Sequence, residues 1–208
     1  EVRDLAVLLH AVGGIPEAEE HVRLHACRCQ LAGELEHGRS ADAAAHHGDL
    51  LVLAQDLRHI KPILTPRFTP SCTNELMAFL GKLAAERDLP VQSHLSENGA
   101  EMDWVRQLHP DCRQYWETYK KYGLWNDRTV MAHCVHSDAR EREAMREHGV
   151  VTAHCAGSNI NICSGVAPVR TLLREGNLVT LGSDIAGGAL LAMNKVITMS
   201  IRASKFRH

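Results

Sequence analysis

Beyond residue 60 the chain alternates short apolar runs with longer stretches whose apolar positions recur at helical spacing. KPILTPRF reads as a strand passing into a proline-flanked loop. In TNELMAFLGKLAAERD, Leu76, Leu80 and Leu83 fall on one helix face, and Thr73 is placed to cap its start. PVQSHL predicts a strand ending at His94, followed by a polar helical region from Gly99 to Tyr122. TVMAHC predicts a strand ending at His133. Ser137 then caps the helix DAREREAMREH, which stops at Gly149 and whose charges read as a solvated face. VVTAHC predicts a strand ending at His154, VAPVRTLLREG a short helix closing at Gly176, and LVTLGSD a strand reaching Asp184. AMNKVITMSIRASK predicts a last helix with Met193, Val196, Ile197 and Ile201 on its core face.

Strands that alternate with helices imply parallel βα units. No Gly-rich phosphate loop follows any of these strands, which disfavours a nucleotide-binding sheet. Residues 1–58 have another character. They contain no Phe, Trp or Tyr, hold six of the fourteen His, and show no strand pattern, although AVLLH and LLVLAQDL are compatible with helix. The expected organisation is therefore an unmatched helical or disordered segment over 1–58 and an α/β unit over 59–208.

Composition narrows the function. At 208 residues, 45% hydrophobic and 23% charged, the chain suits one globular core. A formal charge of −2 gives no electrostatic reason to expect nucleic acid as a partner. No apolar run approaches the ~20 residues of a membrane span. The seven Cys are odd in number and irregularly spaced, so free thiols and a cytoplasmic location are expected. The start, Glu1-Val2-Arg3, has neither a basic leader nor an initiator Met, so no signal peptide is expected, and the chain reads as beginning inside a longer gene product.

The chemistry-bearing residues sit at strand ends. Four of the five strands end in a potential metal ligand (His94, His133, His154, Asp184) and the other ends in Arg67. In an α/β barrel the C-terminal strand ends line one mouth, where polar groups distant in sequence converge. A full (β/α)8 barrel takes about 250 residues, so the fold expected here is a partial TIM-like barrel, its C-terminal half.

Particular segments carry a resemblance. They are Thr65-Pro66-Arg67-Phe68-Thr69 with Ser71-Cys72, Ser93-His94-Leu95-Ser96-Glu97-Asn98, Met131-Ala132-His133-Cys134, Ala153-His154-Cys155 with Ser158-Asn159, and Leu181-Gly182-Ser183-Asp184 with Gly187-Gly188. Together they resemble the guanine deaminases, metal-dependent deaminases of the amidohydrolase superfamily, from about Ile60 to Lys205. The resemblance implies His94 and Asp184 as two ligands of one Zn2+, Glu97 as proton shuttle, and His133 beside the metal-bound water. It implies Asp184 also as a catalytic base, and Arg67 and Phe68 as purine-holding residues, with His94, Glu97 and Asp184 lining the same substrate. A homodimer acting on a small purine is implied as well: guanine plus water giving xanthine plus ammonia. The residue types suit that reaction. Zinc brings the pKa of bound water to roughly 7, a nearby carboxylate moves the proton, Arg is a fixed cation for a carbonyl acceptor, and Phe offers a stacking face.

The sequence also departs from the family pattern. Two further ligands are taken there from a His-x-His on the first barrel strand, and this sequence has none. Where the family has CysProAsnSerAsn, this chain has Cys155-Ala156-Gly157-Ser158-Asn159. The cluster His21, His25, Cys27 and Cys29 lacks the spacing of a zinc module. The alternatives are another amidohydrolase deaminase, against which Arg67-Phe68 argues, and a non-catalytic fragment or scaffold, which the missing His-x-His favours.

Overall fold

The computed structural model describes residues 5–11 and 60–207. Six strands form one sheet in sequence order: β1 (Leu5–Ala11), β2 (Ile60–Pro66), β3 (Val91–Leu95), β4 (Thr129–His133), β5 (Val151–His154) and β6 (Leu178–Leu181). The five strands β2 to β6 are parallel, and β1 runs antiparallel to β2. Strand β1 corrects the reading of residues 1–58 as strandless. Periodicity cannot separate a short apolar run in a helix from one in a strand, and the free side of β2 takes this one as a strand. The rest of that segment, with the His21–Cys29 cluster, lies outside the described residues.

Among the described residues seven α-helices join the strands or follow them: α1 (Asn74–Arg87), α2 (Gly99–Leu108), α3 (Glu117–Lys120), α4 (Ala139–His148), α5 (Ala156–Asn161), α6 (Val169–Arg174) and α7 (Met193–Arg207). Thr73 caps α1 as expected, its hydroxyl accepting from Leu76 N–H at 3.2 Å. The cap of α4 is Asp138, not Ser137: the Asp138 carboxylate accepts from Glu141 N–H at 2.8 Å, while Ser137 donates to the Glu141 carboxylate at 2.7 Å. Gly149 ends α4 with φ +70°, a left-handed conformation that glycine adopts without a Cβ penalty. The helical region from Gly99 to Tyr122 holds two helices, and Pro110 lies in the break between them.

Alternation in β3 sends Val91, Ser93 and Leu95 to the helix side, where Leu64, Met131, Met77, Leu80, Met145 and Leu172 complete the core. Gln92 and His94 take the opposite face. Fully buried Tyr119 ties the helical layer to this strand. Its hydroxyl accepts from Ser93 at 2.9 Å and donates to the His94 carbonyl at 2.8 Å. The expected core face of the last helix is corrected: α7 buries Val196, Ser200 and Ala203 and exposes Met193, Ile197 and Ile201. It packs at the edge of the sheet, where no strand follows β6 among the described residues. None of the described helices is long and apolar enough to cross a membrane.

Candidate active site

The parallel register brings the C-terminal strand ends to one rim: His94 pairs with Ala132, and Leu95 with His133. The backbone there is strained. Among the described residues, positive φ at non-glycine positions occurs at Ser96, His133, Cys134, Asp184 and Ala186, all on this rim, and elsewhere at Asp88 and Cys163. Left-handed residues with side chains are costly and gather at functional sites.

His94 and His133 stack with ring centroids 5.0 Å apart and planes 15° from parallel. The Arg67 carbonyl accepts from His94 N–H and from the Ser93 hydroxyl, each at 3.2 Å, and also from His94 Nδ1. With Nδ1 as donor, Nε2 carries the lone pair. Burial pushes the His94 imidazole below its ordinary pKa, assisted by His133 and opposed by the Arg67 carbonyl, Glu97 and Asp184. A neutral ring held in this way is the form that binds a divalent metal. His133 is 1% exposed, and its Nδ1 lies 2.8 Å from Asn159 Oδ1 and 3.4 Å from Glu97 Oε1.

Glu97 lies in the three-residue turn between β3 and α2. Burial raises its carboxyl above the usual range, His94 opposes this, and Glu101 and Asp184 add to it. A carboxyl moved toward neutrality suits proton transfer near neutral pH. Asp184 is three residues past the end of β6, in a turn where Gly188 N–H donates to its carbonyl at 2.5 Å. A Cβ on Gly187 would fall 2.9 Å from Asp184 Oδ2, so a side chain at that position would push the carboxylate aside. Asp184 acts electrostatically on both His94 and Glu97.

Arg67 and Phe68 follow β2 directly. The Arg67 guanidinium sits 5.3 Å from the Phe68 ring centroid, and the Phe68 and His94 rings meet edge-on at 6.3 Å. All six residues predicted for the site (Arg67, Phe68, His94, Glu97, His133, Asp184) therefore belong to one rim. The sequence reading missed Trp104, which meets Phe68 edge-on at 6.1 Å, and the role of Asn159 against His133. Trp104 had one signal, a lone aromatic on a helix that starts just past Glu97. His154 is different: it is fully buried, it pairs with Leu181, and it lines a groove with Ile197, Ser200 and Ile201 of α7.

His94 Nε2 and the Asp184 carboxylate are donors of the kind that zinc takes, but catalytic zinc uses three protein ligands. Among the described residues no group of three His, Cys, Asp or Glu is arranged to hold a metal ion, and the sequence has no His-x-His. The described residues thus fit zinc in donor type and fall short in donor number.

Comparison with known proteins agrees with this geometry. Over 153 residues the chain is 43% identical to a guanine deaminase of Dictyostelium discoideum, covering 74% of this chain and 34% of that protein. It is 39% identical to the Homo sapiens guanine deaminase over 153 residues, with the same shares. The solved guanine deaminase of C. acetobutylicum, with guanine bound in its active site, superposes with a TM-score of 0.78 at 43% identity, covering 80% of this chain and 40% of that one. A zinc-complexed atrazine chlorohydrolase, TrzN of Arthrobacter aurescens, gives a TM-score of 0.53 at 27% identity over 60% of this chain and 28% of its own. The chain spans about a third of the length of the curated relatives it matches. The amidohydrolase family pattern matches residues 15–208, so it starts well inside the segment in which the sequence reading found no family feature. With the strand-end His and Asp residues on one rim and the family pattern running through nearly all of its length, this chain belongs to the amidohydrolase family.

Proposed function

We propose that this chain carries the purine-holding and proton-transferring part of a guanine deaminase site, for hydrolysis of guanine to xanthine and ammonia. The observation that carries this reading is the placement of Glu97 3.4 Å from His133, itself stacked on His94, with Arg67 and Phe68 on the same rim. Guanine presents a carbonyl acceptor and a flat face, which match the Arg67 guanidinium and the Phe68 ring. Glu97 takes one proton from the attacking water and gives it to the ring nitrogen, then takes the proton of the new hydroxyl and gives it to the amine, which leaves as ammonia while the carbonyl forms. His133 is held through Nδ1 by Asn159, with the Glu97 carboxylate beside it and the His94 ring stacked on it. Zinc, when bound, supplies a nucleophile at neutral pH. His94 and Asp184 are the residues that would hold it, and among the described residues no third donor is grouped with them.

By the same likeness we propose a cytoplasmic homodimer whose partner molecule is the free purine base, with no nucleic-acid or membrane partner. The test is equilibrium dialysis of radiolabelled guanine against this chain. Guanine should bind at least tenfold more tightly than adenine, and Arg67→Ala should remove the difference. Equal binding of the two bases would overturn the reading. A second reading, a chain that binds purine without turning it over, is favoured by the lack of a third donor among the described residues. Metal analysis separates the two: below about half a zinc per chain under saturating metal, this chain does not catalyse by itself.

A further inference from the structure

The turn that carries Glu97 is held by a buried carboxylate. Glu101, at the third position of α2, is 7% exposed. Its Oε2 accepts from Glu97 N–H at 2.9 Å and from Asn98 N–H at 3.3 Å. Its Oε1 accepts from the Tyr115 hydroxyl at 2.6 Å. Tyr115 is 6% exposed and stacks on Tyr119 with ring centroids 5.9 Å apart. The Tyr119 hydroxyl in turn donates to the carbonyl of His94.

We infer that Glu101, anchored by Tyr115, is a positioning residue that sets where the Glu97 carboxylate stands. This rests on the reading of Glu97 as the proton-transfer group. A capping box needs only the reciprocal pair: the Asn98 side chain accepting from Glu101 N–H, and Glu101 accepting from Asn98 N–H. The bond to Glu97 N–H lies outside that motif and fastens the residue whose side chain faces His133. The bond from Tyr115 ties the remaining carboxylate oxygen to a ring stacked on Tyr119, whose hydroxyl holds the His94 carbonyl at the end of β3. The turn is short, from Ser96 to Asn98, and Ser96 has φ +47°. A chain bent into that region relaxes when its anchor is removed. Glu101 thus couples the helix start, the turn and the tyrosine pair to the position of one carboxylate.

The coupling can be read on this chain without metal or substrate, from the side-chain ¹⁵N resonances of His133. Glu97→Gln should shift these resonances in the parent chain. In a Glu101→Ala background the same substitution should shift them at least threefold less, and in Glu101→Gln, which keeps an acceptor for both backbone N–H groups, the response should return. Asn98→Ala is the structural control: it removes the side-chain cap of α2 and should lower the melting temperature while leaving the response intact. An undiminished response in Glu101→Ala, or a response lost equally in Asn98→Ala, would overturn the inference. Should Glu101→Ala fail to fold, Tyr115→Phe decides, because it keeps both backbone bonds and releases Oε1. The response must then fall at least twofold, and an unchanged response counts against the inference. Equal binding of guanine and adenine would refute the deaminase reading without touching this coupling, so the two failures are distinguishable.

Discussion

Replacing Glu141 by Gln should flatten the pH dependence of stability between about pH 4.5 and 7. Glu141 lies on α4 but is 2% exposed, with its carboxyl accepting from the Ser137 hydroxyl. Among the described residues no cation pairs with it. Burial pushes its pKa from 4.5 up to about 7, the Ser137 hydroxyl opposes this, and Asp138 and Glu101 add to it. The folded state therefore holds the proton more tightly than the unfolded chain. The associated stability is fully present below about pH 4.5 and is lost as pH rises through about 7. At ~1.4 kcal/mol per pH unit, the loss is about 3 kcal/mol once Glu141 is ionised in both states. Gln keeps the shape and an acceptor for Ser137 but has no proton to lose. The two proteins should melt together at about pH 4.5, and the variant should melt roughly 6–12 °C higher at about pH 8. Circular dichroism melts across that range provide the assay. All other titrating groups are common to both chains and cancel in the difference. Parallel curves, or a parent chain more stable than the variant at high pH, would refute the argument.

Other outcomes are fixed by the same packing. His154 is fully buried, neither ring nitrogen has a hydrogen-bond partner among the described residues, and burial, reinforced by His133, brings its pKa down to about 4. Its stabilising neutrality is present above about pH 6.5 and is lost as pH falls toward 4, so His154→Leu should reduce acid destabilisation in melts over that window; an unchanged acid limb would contradict this. Gly81→Ala would place its Cβ 1.8 Å from the Tyr122 carbonyl oxygen. It should cost about 1–3 kcal/mol in urea unfolding, and no loss would show that α1 shifts freely. In a zinc-loaded assembly, Glu97→Gln should retain metal and lower turnover by about 10²-fold or more, whereas His94→Ala should lose metal; full zinc occupancy in His94→Ala would remove it as a ligand.

Much of the architecture was legible because period and punctuation agree along the chain. The alternation in Val91–Leu95 and the Leu76, Leu80, Leu83 spacing identify a strand and a helix, and Thr73 and Gly149 mark ends that the structure keeps. The site was legible for a similar reason: in a parallel sheet every strand delivers its last residue to one rim, so polar strand ends are neighbours before any contact is known. What failed was non-local. Helix α5, with Gly, Ser and Asn in its six residues, has too weak a local signal to stand out. Ile197 and Ile201 have core spacing but face outward, because burial needs a partner layer as well as a period. Glu141 was hidden in a charge run whose other members are largely solvated, and only the Ser137 hydroxyl shows why it turns inward. No pattern links Ser93 to Tyr119 or His133 to Asn159, yet these bonds orient the strand ends.

The central claim is that His94 and Asp184 face a common metal position beside Glu97. Crystals of this chain soaked in zinc, with data collected on both sides of the zinc absorption edge, test it most directly. An anomalous peak within ligand distance of both His94 Nε2 and the Asp184 carboxylate, absent in His94→Ala, is the expected result. Zinc found elsewhere on the chain with that position empty, or a peak that survives loss of His94, would contradict the account.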